Sequence, residues 1–458
     1  MKGNLSTMQA WIAGSRRTGD AAFAGVSTDS RHVESGNLFV ALRGERFDAH
    51  DFLNEVAASG AAAVMVERMP EGLKLPALIV PDTRMALGEL AGHWRRQFML
   101  PMIGVTGSNG KTTVKEMIAS ILRQTFGGEH VLATRGNLNN EIGVPLTLLQ
   151  LGSEHRAAVI EMGMNHVGEI ALLSSIAQPT VGLVNNAQRE HQEFMHSVEA
   201  VARENGAVIA GLPPVGVAVF PADDEFTPLW RKLAADGSKC RVVTFGLSAE
   251  ADVGGDSQLG DFGSELSLRI DGRAWPVNLQ AAGLHNVRNA FAAAACCHAI
   301  GIEAEMIVRG LEAFAPVSGR MQRKQGKNGV IVIDDTYNAN PDSVLAAIDV
   351  LSRATAPRIL VLGDMGEVGD AGRGFHQEVG VHARQSGINY LITLGELARD
   401  AADAFGMNAL HFTELDRLMP VLDAVLLPGA TVLVKGSRFM QMERVVRLLA
   451  DEQTGESH

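Results

Sequence analysis

Cysteine is scarce: Cys240, Cys296 and Cys297 are the only ones in 458 residues. So few thiols cannot build a disulfide framework. The adjacent pair lies in an alanine-rich helical stretch where buried thiols are the ordinary state, which fits a reducing compartment. Long apolar runs are absent too. No stretch approaches the roughly 18 uninterrupted apolar residues of a membrane span. Residues 1–13 carry one lysine and no apolar core of a secretory signal, so the expected address is the cytoplasm. Basic charge is in deficit, because 40 Lys and Arg stand against 52 Asp and Glu, a net charge of −12. A protein that grips a nucleic-acid backbone usually has a basic surface, so nucleic acid is not an expected partner. Any anionic ligand must be held by a local cluster.

What is present reads as a folded, multidomain chain. Hydrophobic residues make up 46% and charged residues 20%, with 49 Gly and 16 Pro, and the length alone predicts about three domains. Short apolar, β-rich runs at 102–105, 157–160, 181–184, 330–333, 359–362, 390–393 and 431–434 alternate with helical patterns. That alternation predicts an α/β protein whose parallel sheets carry helices on both faces. The first hundred residues read as a small mixed α/β unit, with an extended stretch at 37–42, a helix near 51–59, a strand at 63–66 and a helix ending near 95–96. The Gly- and Asp-rich stretch 252–271 predicts hairpins at the edge of the central unit. A Pro/Ser/Gly joint at 315–319 precedes a second α/β run. The expected division is therefore 1–98, 99–316 and 317–458, with a frayed polar tail at 451–458.

The strongest local signal is the run from Met102 to Thr113, a strand, a Gly-rich turn and a helix start. Gly107, Ser108, Asn109 and Gly110 can point backbone N–H groups at phosphate oxygens, and the helix N-terminus adds positive potential. Lys111 can reach the β and γ phosphates and the Thr112 hydroxyl can ligate Mg²⁺, with Thr113 beside it. The usual phosphate-loop pattern has Gly five places before Gly110, where this chain has Val105, so the loop is a variant. ATP or GTP binding follows from it.

Thr106-Gly-Ser-Asn-Gly-Lys-Thr-Thr113 resembles the ATP loop of the Mur ligases and their folylpolyglutamate synthetase relatives, and further motifs follow in that family's order. Asn137, Asn139 and Asn140 lie in a stretch that looks like its asparagine-rich segment. Glu161 matches its strand-end glutamate, Gly283-Leu-His-Asn-Val-Arg-Asn-Ala290 its adenine-side motif, and Arg320 its arginine after the second linker. Asp334-Asp-Thr-Tyr-Asn-Ala-Asn-Pro341, Leu362-Gly-Asp-Met-Gly-Glu367 and Val434-Lys-Gly-Ser-Arg438 resemble the branch that adds D-alanyl-D-alanine to the UDP-N-acetylmuramoyl tripeptide. The Asp-Asn-Pro-Arg segment of a sibling branch that adds a diamino acid is absent. Ser27, Asp29, Ser30 and Arg31, with the stretch from Phe39 to Gly44, resemble the family's UDP-sugar-peptide site, although one family glycine is Ala49 here.

Each residue also has a physical reading. Glu161 ends a strand predicted to be buried beside the phosphate loop, where a carboxylate is a natural Mg²⁺ ligand; a helix cap or a salt bridge is the plainer role. His191, in a loop after 181–184, is by itself an ordinary surface histidine, and the resemblance makes it a metal ligand. The family usually places a carbamoylated lysine one turn into the next helix, whereas this chain has Asn205. Glu190, Glu193 or Glu204 could restore the lost negative charge. Asn286 and Asn289 share a helix face and can address an adenine edge, unless Asn286 caps the helix. Arg320 follows a flexible joint and can reach the γ-phosphate on closure, or stay in solvent. Asp335 can hold a ribose hydroxyl, and the resemblance turns Tyr337 and Asn338 toward the nucleotide as well. Lys435 and Arg438 can bind the carboxylate of an incoming dipeptide or form structural salt bridges. Arg31, Arg43 and Arg46 are the notable basic group of the first unit, suited to a diphosphate.

The resemblance implies three domains: one for the UDP end of the substrate, a central P-loop ATPase, and a C-terminal Rossmann-like domain for the dipeptide. It implies an acyl-phosphate ligation that uses ATP and Mg²⁺, with Lys111, Glu161, His191 and Arg320 as the catalytic set; a monomer is the expected state, although nothing in the sequence fixes it. The competing readings are a sibling ligase that adds a single amino acid and a P-loop switch that makes no product.

Overall fold

The computed structural model describes residues 1–44, 47–69 and 71–450. Its frame is a set of three larger sheets of five, nine and six strands, with a two-stranded ribbon near the N-terminus.

The five-stranded sheet runs in the order Arg16–Arg17, Ala77–Ile79, Ala63–Val66, Leu38–Val40, Val26–Ser27, with only its first pair antiparallel. Alternate residues of these strands serve opposite faces. Phe39, Val64 and Ile79 pack with Leu53 and Val56 on one side. Leu38, Val40, Met65 and Leu78 pack on the other against Leu87 and Leu90, from the helix Thr83–Arg95. Asp82 caps that helix by accepting the Met85 N–H at 2.8 Å. The same apolar cluster continues into Ile170 and Leu173, so the first unit is fused to the central one through that helix. Gly88 makes the approach possible, since a Cβ there would stand 3.0 Å from Ile176 Cδ1.

The nine-stranded sheet places Met102–Thr106 between Ala157–Glu161 and Val181–Val184, all parallel. Its strands at the site are buried on both faces, which explains their unbroken apolar runs. One face packs against the helices Lys111–Phe126 and Leu284–Ala299, the other against Glu169–Ala177 and Val198–Asn205. The stretch at 252–271 forms antiparallel strands at one edge, as its turn residues predict. Cys296 and Cys297 are free and buried in Leu284–Ala299, and burial pushes both thiols up.

The six-stranded sheet runs Gln322–Gln325, Ile331–Asp335, Thr431–Lys435, Arg358–Gly363, Tyr390–Leu394, Ala409–Phe412. The strand expected at 330–333 is not the first of this unit. An antiparallel edge strand precedes it, hidden from pattern reading because Gln322–Gln325 is polar and half exposed. It also runs two residues further, so Asp334 and Asp335 are inside it. No described helix is long and apolar enough to cross a membrane.

Candidate active site

The carboxyl ends of the central and C-terminal sheets open onto one cavity of about 820 Å³, lined by Lys111, Glu161 and Asn289 on one side and by Arg320, Asp335 and Lys435 on the other. Ligands gather at such strand ends in α/β folds.

The phosphate loop is shaped by amides. Asn205 Oδ1 accepts the Gly107 N–H at 2.9 Å, and the Asn205 carbonyl accepts the Thr106 hydroxyl at 3.1 Å. Asn186 Oδ1 accepts the Asn109 N–H at 2.9 Å, while Asn185 and Asn186 donate to the Asn109 carbonyl at 2.8 and 3.0 Å. Ser108 Oγ accepts the Gln188 N–H at 2.9 Å. Gly110, at φ +81°, can only be glycine, because a Cβ there would stand 2.4 Å from Asn289 Oδ1. Every one of these partners lies outside the loop, so its conformation is set before any phosphate arrives. The Asn185, Asn186 and Gln188 supports were missed from sequence; their signal was the amide-rich run directly after Val181–Val184. Asn286 and Asn289 line the cavity, but their amides are engaged: Asn289 accepts from Asn185 at 2.9 Å and donates to Asn286 at 3.1 Å, and Asn286 donates to the Ala282 carbonyl at 2.8 Å.

Lys111 Nζ donates to Glu190 Oε1 at 2.7 Å and to the Gly107 and Ser108 carbonyls at 2.5 and 3.2 Å. His191, at φ +47°, places Nε2 3.6 Å from Glu190 Oε1 and Nδ1 2.6 Å from Glu367 Oε2, and that contact holds the Glu367 carboxyl below the usual range. Glu161 Oε1 accepts from Asn139 Nδ2 at 2.9 Å. Its Oε2, like Glu190 Oε2, is buried without a hydrogen-bond partner among the described residues. Buried acceptors without donors are costly and suit a hard divalent cation, so the acids present fit Mg²⁺. No group of three His, Cys, Asp or Glu converges as a ready cage among the described residues, so phosphate oxygens and water would complete the shell. Thr113 lines the cavity; Thr112 is buried in the first turn of the helix.

Across the cavity, the Arg320 guanidinium lies 4.0 Å from the Tyr337 ring centroid. Lys435 Nζ is bound to Asp335 Oδ2 at 2.6 Å and the Asn338 carbonyl at 2.9 Å, and the Asn338 side chain turns onto the Ala339 N–H. Arg438 pairs with Glu443 at 3.2 Å. Two connections between the sheets were not foreseen. Asn109, in the loop, and Asn340, the cap of the helix Pro341–Leu351, exchange amide hydrogen bonds at 2.9 and 3.3 Å. Arg189 reaches Asp342 at 2.6 Å and Glu378 at 2.6 Å, and the Asp342 and Glu378 bonds outweigh burial to raise its pKa.

The asparagine-rich segment is divided in its tasks. Asn139 supports Glu161, Asn140 Oδ1 accepts the Gly143 N–H at 2.9 Å where the helix Gly143–Leu148 begins, and Asn137 is exposed at the cavity wall. In the first unit, Arg31 pairs with Asp29 at 2.8 Å and is 80% exposed, and Ser27 Oγ donates to the Asp29 carbonyl at 3.2 Å, with Ser30 opening a short 3-10 turn. Arg43 stands 3.4 Å from Asp48 and 3.3 Å from Glu67. Arg46 lies outside the described residues.

Comparison with known proteins matches this arrangement at full length. Residues 22–95 match the Mur ligase family catalytic domain, 105–297 the Mur ligase middle domain and 319–438 the Mur ligase glutamate ligase domain. The chain is 39% identical over 452 residues to the UDP-N-acetylmuramoyl-tripeptide--D-alanyl-D-alanine ligase of Escherichia coli, covering 98% of this chain and 99% of that one. The protein of that name from Haemophilus influenzae is 39% identical over 459 residues, covering 98% and 99%. Among solved structures, MurF from Acinetobacter baumannii superposes with a TM-score of 0.91 at 36% identity, over 98% of this chain and 99% of that one. MurF from Thermotoga maritima in complex with ADP gives 0.83 at 27% identity, over 92% and 96%. With matches to all three family domains and this identity along nearly its whole length, the chain belongs to the Mur ligase family.

Proposed function

We propose that this chain is an ATP-dependent ligase that joins D-alanyl-D-alanine to UDP-N-acetylmuramoyl-tripeptide in peptidoglycan precursor synthesis. The observation that carries the reading is the near-full-length match to enzymes of that name, in a chain whose phosphate loop faces an arginine and a lysine across one cavity.

In this reading, residues 1–98 hold the UDP end through Ser27, Asp29, Ser30, Arg31, Arg43 and Arg46. Residues 99–316 hold ATP, and residues 317–458 hold the dipeptide. The tripeptide carboxylate attacks the γ-phosphate, ADP leaves, and the dipeptide amine then displaces phosphate from the mixed anhydride. Gly107 to Thr113 cradle the phosphates, with Lys111 and Arg320 spreading the transferring charge from opposite sides. Asn286, Asn289, Asp335 and Asn338 position the nucleoside. Asn137, Asn139 and Asn140 form the wall on the acyl side, and Lys435 and Arg438 offer cations to the dipeptide carboxylate. Lys435 must exchange Asp335 for that carboxylate, so its charge is available only when the ligand competes. Magnesium, held by Glu161, His191 and Thr112, would neutralise phosphoryl charge when bound. Water would destroy the anhydride, and the Arg189 and Asn340 contacts serve to keep the two sheets closed over it. A cytoplasmic address and a monomeric state complete the reading as expectations carried over from the sequence.

The test is phosphate release with UDP-N-acetylmuramoyl-tripeptide and D-alanyl-D-alanine added singly and together. Release is expected only with both, and replacing the dipeptide by any single amino acid should abolish most of it. Release without either substrate would indicate a switch, and equal release with an amino acid would indicate a sibling activity.

A further inference from the structure

We propose that Glu190 is the second anionic ligand for the divalent ion that accompanies the nucleotide, and that before nucleotide arrives it holds Lys111 in place. The proposal rests on the ATP-ligase reading above. Lys111 is 14% exposed and Glu190 10% exposed, so their 2.7 Å contact is a nearly buried ion pair on the cavity wall. Only one Glu190 oxygen is used. Oε2 is buried with no hydrogen-bond partner among the described residues, and Glu161 Oε2, from a residue that lines the same cavity, is in the same condition. A phosphate group competes for the Lys111 ammonium. Once it takes that ammonium, both Glu190 oxygens lack a cation beside a charged phosphate, and a divalent ion is the partner that satisfies acid and phosphate together.

The other two acids that the sequence offers for the lost charge are placed differently. Glu204 Oε1 and Oε2 accept the Ile170 and Gly168 N–H groups at 2.8 and 2.9 Å, which commits both to the start of the helix Glu169–Ala177. Glu193 is exposed and does not line the cavity. Asn205 is neutral and spends its amide oxygen on Gly107.

Manganese is the probe, titrated by electron paramagnetic resonance into the ADP-loaded full chain, with ADP affinity measured separately in chelator. Glu190→Gln should weaken Mn²⁺ binding about tenfold or more. Its metal-free ADP affinity should be unchanged or higher, because a competitor for Lys111 is gone. Glu190→Asp should keep most of the Mn²⁺ affinity and Glu193→Gln all of it. Removing bicarbonate should change nothing. Wild-type Mn²⁺ affinity in Glu190→Gln would overturn the proposal. So would loss of metal-free ADP binding, which would make the carboxylate a support of the loop, and so would bicarbonate dependence, which would give the charge to a carbamoylated lysine. No acyl or amine substrate enters this assay, so its outcome is separable from failure of the ligase reading.

Discussion

Two cationic regions of this chain differ in how their charges are held. Lys111 is nearly buried, ion-paired with Glu190 and bonded to two carbonyls of a loop that amides from several other segments fix in shape. Arg31 and Arg43 are 80% and 56% exposed, and their partners Asp29, Asp48 and Glu67 belong to the same small unit. An exposed pair contributes about 0–1 kcal/mol, so ligand phosphates can replace it at little cost. A nearly buried ion pair is far more costly to break from one side. The nucleotide end is therefore built in advance, and the first unit's arginines are free to rearrange around what they bind.

The contrast predicts unequal effects. Lys111→Ala should lower turnover by about 10³-fold or more, with UDP-substrate binding and the circular dichroism spectrum retained; near-normal turnover would show that the loop does not serve phosphate. Arg189→Ala removes the strongest link between the two large sheets. It should enlarge the radius of gyration in X-ray scattering and lower kcat/KM about 100-fold through misplacement of the reacting groups. Arg43→Ala should raise KM for the UDP substrate about tenfold, ~1.4 kcal/mol, while kcat holds, in steady-state kinetics. The smallest effect concerns stability. Burial works to raise the Asp48 pKa, but the His50 N–H and ring and the Arg68 guanidinium prevail and bring it down to about 2. A depressed carboxyl stabilises the fold above the unfolded pKa and loses that contribution as pH falls through the folded one. Asp48→Asn should therefore lower Tm above pH 4 and converge with the wild type near pH 2.

Much of the fold is legible because local patterns decide it. The strands Ala63–Val66 and Val181–Val184 fall where their apolar runs predicted, since burial on both faces allows no polar interruption. The edge strand Gln322–Gln325 escaped because it has little apolar surface to hide. At the site, the run Gly107 to Lys111 announced itself, since a glycine turn before a lysine at a helix start has few other uses. The supports did not. Arg189 and Asp342 are 153 residues apart, and Asn109 and Asn340 are 231 apart, and nothing near either residue signals its partner. Asn205 was legible as a departure but not as the acceptor for Gly107, because that contact exists only once a helix and a loop from different strands have packed.

The most direct test follows oxygen. With ¹⁸O in both oxygens of the reacting tripeptide carboxylate, attack on the γ-phosphate carries one labelled oxygen into the released phosphate. Mass spectrometry of the phosphate formed with D-alanyl-D-alanine present should find one ¹⁸O per phosphate, and Lys111→Ala should form none above background. Unlabelled phosphate released alongside ligated product would mean that the carboxylate never meets the γ-phosphate, and the acyl-phosphate account of this cavity would be wrong.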